Sequence, residues 1–187
     1  MANHKIIISY NGKEIETLED ILPSKSGLKL LFIGKAPAPI SVQKGHYFQG
    51  KQGKMFWNKL KEYKILNVPF GKYEDDFLLE NDLGITDIVK IPKEYSDEPK
   101  SEEYLRGLNR ILKIIEIYKP KVTVFIYKKV LDQILKNAFK ISIKSDYGFN
   151  PQFDKYFNSR VFVFPMPGTP CTRKKVDISL TELREII

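Results

Sequence analysis

The chain has a single cysteine, Cys171, among its 187 residues, and this scarcity excludes several kinds of site. One thiol cannot form an internal disulfide, a zinc site built from several cysteines, or a cysteine-ligated iron–sulfur cluster within one chain. Cys171 reads as a small loop residue rather than a nucleophile, because its segment contains no histidine to activate it. We therefore expect a protein of the reducing cytoplasm.

Long hydrophobic runs are also missing. No stretch approaches the roughly 18 uninterrupted apolar residues of a membrane span. The first residues, MANHKIIISYNGKEIE, place acids soon after a short apolar run, which is unlike a signal peptide. These features predict a soluble, intracellular chain.

Acidic residues are outnumbered by basic ones. The 31 Lys and Arg against 23 Asp and Glu give a net charge of +8, which suits polyanionic partners such as nucleic acids. Hydrophobic residues make up 42% of the chain, enough to support a buried core. The length predicts one domain, residues 1–187, with residues 1–27 as an N-terminal appendage.

Strand-like and helix-like patterns alternate after residue 27. The predicted strands are LKLLFIG, ITDIVKIP, KVTVFIY and VFVFP. Helices are predicted after Gly53, over 73–84, over 101–118, in KKVLDQILKN, and from a capping box at Ser179–Glu182. This alternation predicts a largely parallel sheet with helices on both faces, whose ligands bind beyond the carboxyl ends of the strands.

The loop after the first of these strands is cationic. Between positions 35 and 61 it contains no acid and six lysines, at 35, 44, 51, 54, 59 and 61. Lysines leading into a helix N-terminus suit a phosphate backbone, and His46, Tyr47 and Phe48 offer surfaces for base stacking. The alternative is a solvated loop whose aromatic residues pack into the core.

A second loop, Pro165–Arg173, follows the last strand. Its prolines make it rigid, and its end is basic at Arg173 and Lys174. Such a loop suits a wedge against a duplex with a phosphate grip beside it. The alternative is an ordinary connection between a strand and a helix.

Four segments together resemble the uracil-DNA glycosylase superfamily, especially its mismatch-specific uracil/thymine branch. They are LFIGKAPA with Phe48 and MFWNKL, then GITDIVKIP, KPKVTVFIYKKVLDQIL and VFVFPMPGTPCTR. The resemblance spans residues 28–187. It implies a three-layer α/β/α sandwich around a four-stranded parallel sheet.

The resemblance also implies roles for individual residues. Phe48 would stack on a flipped base, and His46, two residues before it, adds a second stacking surface by its chemistry alone. Backbone amides near Lys35 and Ala36 would stabilise negative charge on the departing base, with Lys35 or Asp87 assisting. Independently of the resemblance, the charge of the first loop predicts that lysines 44, 51 and 54 follow the DNA backbone. The final loop would supply the wedge and its phosphate contacts through Gly168, Thr169, Pro170, Arg173 and Lys174.

Two positions depart from the family pattern. Ala36 stands where the branch has a catalytic asparagine that orients the attacking water. Asp87 stands where several branches have an asparagine that reads the base edge. An ionised Asp87 accepts hydrogen bonds but does not donate to a carbonyl oxygen. It could therefore accept from the base, orient water, stabilise the sugar cation, or simply cap local backbone amides.

We accordingly predict a monomeric DNA glycosylase acting on double-stranded DNA. It would flip uracil, a deaminated purine or a mispaired thymine and hydrolyse its N-glycosidic bond, with no metal ion or organic cofactor. The alternatives are a catalytically weak or inactive nucleic-acid-binding protein on the same fold, which Ala36 favours, and an unrelated parallel α/β enzyme.

Overall fold

The computed structural model describes residues 3–94 and 96–187. It begins with an antiparallel hairpin of β1 (Lys5–Tyr10) and β2 (Lys13–Leu18). The turn residues Asn11 and Gly12 have φ of 50° and 75°. Asparagine and glycine adopt this left-handed conformation most readily, which explains why the chain reverses here.

Five further strands form the central sheet of the described chain. They are β3 (Leu30–Gly34), β4 (Leu83–Asp87), β5 (Val122–Phe125), β6 (Gly148–Phe149) and β7 (Arg160–Val163). Their spatial order is β4-β3-β5-β7-β6. The first four pair in parallel, whereas the two-residue β6 is antiparallel to β7. The predicted four-stranded parallel sheet is confirmed, with one short edge strand added.

Helices cover both faces of this sheet. They are α1 (Pro39–Lys44), α2 (Lys51–Glu62), α3 (Ser101–Tyr118), α4 (Lys128–Phe139), α5 (Asp154–Phe157) and α6 (Arg173–Ile186). In β3, Leu30 and Phe32 belong to the core shared with α2 and α6, whereas Leu31 and Ile33 belong to the core shared with α3 and α4. The three-layer α/β/α sandwich is therefore confirmed. No helix among the described residues is long and apolar enough to cross a membrane.

The prediction of a helix over residues 73–84 is wrong. The segment instead forms two short 3₁₀ turns, Asp75–Phe77 and Leu79–Asn81. Asp82 then adopts a left-handed φ of 59°, which stops helical propagation. Gly84, expected to close the helix, lies inside β4.

The last helix begins earlier than its predicted capping box. The Thr172 hydroxyl accepts a hydrogen bond from the Lys175 amide at 3.3 Å, so α6 begins at Arg173. Ser179 is consequently an interior, buried residue of that helix. A threonine with extended φ and ψ satisfies the first helical amides and thereby sets the start upstream.

The N-terminal segment packs against the free edge of the sheet. Ile21 exchanges two backbone hydrogen bonds with Ile85 of β4, each 3.0 Å from N to O. Leu18 and Ile21 are both buried in the core. The segment therefore covers unpaired backbone groups that an exposed edge strand would present.

Candidate active site

A cavity of about 520 Å³ opens at the carboxyl ends of β3 and β4. Its walls come from the loop after β3, the start of α1, residues 47–50, the first turn of α2 and the segment after β4. Leu18 of β2 and Tyr127, which precedes α4, complete the lining. This is the position at which parallel α/β sheets bind ligands, because the loops that leave the strands diverge there.

Asp87, the last residue of β4, lies in the cavity floor. The residue is only 1% exposed, and its Oδ1 has no hydrogen-bond partner among the described residues. The Asp87 carboxylate lies so close to the backbone of β3 that position 34 must be glycine, because a methyl group there would lie 2.0 Å from Asp87 Oδ1. A buried carboxylate oxygen that lacks a partner is costly for folding, so its retention points to a functional role.

Burial raises the pKa of Asp87 to about 7. Lys90 and Arg110 oppose this rise because their positive charges favour the carboxylate, while the negative charge of Asp20 adds to it. Both forms of Asp87 therefore coexist at neutral pH. The ionised form can take a proton, and the neutral form can donate a hydrogen bond.

A charged network lies beneath Asp87. The two carboxylate oxygens of Asp20 lie 2.6 Å from Lys90 Nζ and 2.6 Å from Arg110 Nη1. Arg110 also donates a hydrogen bond to the carbonyl oxygen of Asp87. Lys90 and Arg110 hold the pKa of Asp20 below its ordinary value although burial opposes them, and burial lowers the pKa of Lys90.

Asp20, Lys90 and Arg110 were missed by sequence reasoning. Asp20 precedes the resembling region, and no motif of the sequence singles out Lys90 or Arg110. The one usable signal was Lys90 itself, which interrupts the apolar run ITDIVKIP three residues after Asp87. An acid held in the same core was needed to pair with it, but the sequence does not show which one.

Phe48 lies beside Asp87. A β-carbon added at Gly34 would lie 3.2 Å from Phe48 Cζ as well as 2.0 Å from Asp87 Oδ1. The side chains of Phe48 and Asp87 therefore both approach the backbone of Gly34. The Phe48 backbone is left-handed, with φ of 55°, and its ring packs against Phe56 at 5.1 Å between centroids. Gly53 is also required here, because a β-carbon there would lie 2.3 Å from the Phe48 carbonyl oxygen.

Lys35 and Ala36 form one wall of the cavity. The Lys35 ammonium lies 3.3 Å from the Glu98 carboxylate and 3.3 Å from the Asp97 carbonyl oxygen, which hold it against that wall. Ala36 contributes only a methyl group. The cavity therefore has no side-chain amide at position 36, where the resemblance implies a catalytic asparagine in related proteins.

The structure does not bring His46 to the cavity, contrary to its expected contact with a base. Its ring is buried, stacks on Tyr73 at 3.6 Å between centroids, and places Nδ1 2.9 Å from Asp75 Oδ1. The second oxygen of Asp75 accepts the Tyr47 amide at 2.7 Å. These contacts turn His46 away from the cavity, and His46 is not among the residues that line it.

The lysines of the first loop divide into two groups. Lys35, Lys59 and Lys61 are paired with Glu98, Glu62 and Glu74 at 3.3, 2.8 and 2.7 Å. Lys44, Lys51 and Lys54 are exposed and form no ion pair within the described parts of the chain. Lys51 also lines the cavity. The unpaired group is the one expected to contact DNA.

The final loop lies outside this cavity. Gly168 has a left-handed φ of 86°, and the Thr169 hydroxyl donates to the Met166 carbonyl at 2.7 Å, so the loop turns tightly and leaves Pro170 exposed. Gly168, Thr169 and Arg173 line a separate depression of about 200 Å³. Lys174 is exposed in the first turn of α6.

Comparison with known proteins agrees with this architecture. The family model of the uracil DNA glycosylase superfamily matches residues 23–176. A G/U mismatch-specific uracil DNA glycosylase of Schizosaccharomyces pombe is 27% identical over 136 residues, which are 71% of this chain and 42% of that relative. The chain thus spans less than half of the relative's length. Since the family model covers most of the sequence, the chain belongs to the uracil DNA glycosylase superfamily.

Proposed function

We propose that the protein is a DNA glycosylase that removes a damaged or mismatched base from double-stranded DNA in base-excision repair. Family membership and the activity named for the fission-yeast relative support this proposal. The observation that carries it is the buried Asp87, whose unpartnered oxygen lies beside Phe48 in the floor of the cavity.

Base flipping accounts for the shape of the site. The N-glycosidic bond is inaccessible within a stacked duplex, so the target nucleotide must leave the helix. A cavity of about 520 Å³ lies within the usual 300–1,000 Å³ range of small-ligand sites. The extruded base would stack on Phe48 while its sugar lies near Asp87. Weakly paired bases such as uracil, deaminated purines or mispaired thymine are extruded at the lowest cost.

Hydrolysis then follows from the ionised form of Asp87. The carboxylate accepts a proton from water as the water oxygen bonds to C1′ of the sugar, and the N-glycosidic electron pair leaves with the base. The same negative charge stabilises the cationic sugar of the transition state. Backbone amides near Lys35 and Ala36, together with the first turn of α2, stabilise the departing anion. Asp87 thereby supplies the water contact that Ala36 cannot make.

The competing proposal is a catalytically weak or inactive protein that binds DNA through the same surface. The observation in its favour is Ala36, which brings no hydrogen-bonding group to the cavity wall. Phe48 and the unpaired lysines fit either function, so measurement of base release decides between them.

The deciding experiment is single-turnover excision from duplexes that contain uracil, hypoxanthine, xanthine or mismatched thymine. We expect release of at least one of these bases, and a fall of about 10²-fold or more in its rate for Asp87→Asn, with duplex affinity nearly unchanged. The matched control is Asp82→Asn. Asp82 is an exposed acid that immediately precedes the amino end of β4, whereas Asp87 is buried at the carboxyl end of the same strand. Lesion-selective binding without release of any base would favour the competing proposal.

We further propose that the protein acts as a monomer in the cytoplasm. The lone Cys171 suits a reducing compartment. Sedimentation of the protein with and without a short duplex tests the oligomeric state, with one chain per duplex expected.

A further inference from the structure

Four metal-ligating side chains meet away from the cavity. His4, His46, Asp75 and Asp76 each offer one ligand atom, and all four atoms lie within 4.8 Å of one another. The chain has two histidines, and both are in this cluster. We propose that the cluster binds one divalent metal ion of the zinc class.

Two buried atoms of the cluster lack hydrogen bonds. His4 Nε2 and Asp76 Oδ1 are shielded from solvent, have no hydrogen-bond partner among the described residues, and lie 3.4 Å apart. Zinc binds such atoms at about 2.0–2.2 Å in a tetrahedron, which places two ligands roughly 3.3–3.6 Å from each other. The observed separation of His4 Nε2 and Asp76 Oδ1 therefore matches that of two ligands on one shared ion.

The remaining contacts orient the ligands as an outer shell does. Glu19 Oε1 lies 3.3 Å from His4 Nδ1, which leaves His4 Nε2 directed into the cluster. The Tyr47 amide donates to Asp75 Oδ2 at 2.7 Å, which leaves Asp75 Oδ1 directed at His46 Nδ1 within the cluster. A carboxylate outside the cluster that contacts the second ring nitrogen, as Glu19 does for His4, is typical of histidines that bind metals.

The donor set identifies the class of ion. Two imidazole nitrogens and two carboxylates suit zinc and its neighbours among the transition metals, whereas magnesium and calcium prefer oxygen ligands alone. A cavity of about 450 Å³, lined by His4, Asp75 and Asp76, gives the ion a route from solvent. No described residue lines both this cavity and that of Asp87.

The position of the cluster predicts a structural role. His4 immediately precedes β1, His46 belongs to the loop that carries Phe48, and the two aspartates lie in the first 3₁₀ turn. An ion would therefore join the N-terminal hairpin to the loop that shapes the cavity. This inference does not depend on the proposed glycosylase activity.

Calorimetric titration of the chelator-treated full chain with zinc chloride tests the proposal. We expect saturable binding of one zinc per chain, and an intense visible absorption when cobalt(II) replaces zinc, as tetrahedral sites give. His4→Ala and Asp76→Asn should each weaken zinc binding more than 100-fold. Glu19→Gln should weaken it about 10- to 100-fold, because Glu19 only orients a ligand. The control Glu80→Gln alters an exposed acid of the same cavity and should leave zinc binding unchanged.

Thermal unfolding of the unaltered protein gives a readout that needs no variant. An ion that binds only the folded chain raises Tm as its concentration increases, so zinc should raise Tm and magnesium at the same concentration should not. Absence of saturable zinc binding to the unaltered protein would show that His4 and Asp76 form only an ion pair. Equal zinc binding by the His4→Ala and unaltered proteins would also overturn the site.

Discussion

At the scale of single residues, the protonation state of Asp87 separates its two proposed roles. A base that activates water must be ionised, whereas a group that donates to the O4 of uracil must be protonated. Because the pKa of Asp87 is about 7, its ionised and protonated forms are both present near neutral pH. The pH dependence of excision therefore has opposite signs for the two roles.

We expect the rate of single-turnover excision to rise with pH and to level off above about pH 7, because the fraction of ionised Asp87 increases through its pKa. The measurement is the rate at saturating protein from pH 5.5 to about 8.5. Asp87→Asn should abolish this dependence along with most of the rate. A rate that instead falls with increasing pH would assign Asp87 to recognition of uracil in its protonated form.

The same carboxyl should reduce the stability of the fold at high pH. Because burial raises the pKa of Asp87 from an ordinary 3.8 to about 7, the folded chain binds more protons than the unfolded chain between these values. Stability therefore falls as pH rises through this window, by at most about 4 kcal/mol for such a shift. Asp87→Asn removes this loss, so it should raise Tm more at pH 8 than at pH 4. An equal change in Tm at both pH values would place the carboxyl in contact with water.

Phe48 tests the stacking role separately from catalysis. Base–aromatic stacking contributes about 1–3 kcal/mol per base, so Phe48→Ala should weaken lesion-selective binding by about 5- to 150-fold. Phe139→Ala, which removes a half-buried ring packed against Phe157 on the opposite face of the sheet, is the control. It should lower Tm without a change in lesion selectivity. If Phe48→Ala lowers only Tm, Phe48 is a core residue.

At the scale of secondary-structure elements, the N-terminal segment contributes to the site although it precedes the family match at residue 23. Leu18 lines the cavity, and Asp20 pairs with Lys90 and Arg110 beneath Asp87. The segment is fixed in place by the backbone pairing of Ile21 with Ile85. It therefore tunes the charge around Asp87 as well as covering the sheet edge.

Asp20→Asn should change both stability and pH dependence. Loss of the Asp20 charge leaves the mostly buried Lys90 without this acidic partner. Breaking a fully buried ion pair lowers the free energy of unfolding by about 3–5 kcal/mol. We expect a smaller loss here because Asp20 is 20% exposed. The pKa of Asp87 should fall because Asp20 helps to raise it, so the midpoint of the excision profile should move to lower pH. Glu16→Gln, in the exposed pair with Lys5, should change neither quantity by much.

The sequence predicted those elements whose local pattern determines them. The run of β3 is continuously apolar after Lys29, and the prolines after Gly34 end it, so both the strand and the cavity loop were recognised. The surroundings of Asp20 and His46 could not be predicted, because they depend on partners far along the chain. His46 faces Asp75, and Asp20 faces Arg110; neither pairing leaves a periodic trace in the sequence.

At the scale of the whole molecule, only part of the net charge of +8 is free to contact a polyanion, because some lysines are paired with acids and others are not. Three lysines of the first loop are neutralised by nearby glutamates, whereas Lys44, Lys51 and Lys54 remain unpaired within the described chain. Of these three, Lys51 lines the cavity that contains Asp87 and Phe48, Lys54 lies three residues further along α2, and Lys44 ends α1. Lys51 therefore brings unpaired positive charge to the cavity itself, and we expect the phosphate backbone to pass beside it when a base enters.

This placement predicts a steep and localised salt dependence of duplex binding. Each neutralised phosphate adds about −0.9 to the slope of log K against log salt, so the double change Lys51→Ala and Lys54→Ala should flatten the slope by up to about 1.8. The control pair is Lys113→Ala with Lys121→Ala. Both lysines are exposed, and Lys121 lies at the amino end of β5, away from the cavity. Equal flattening by both pairs would mean that the positive charge attracts DNA without defining a path to the site.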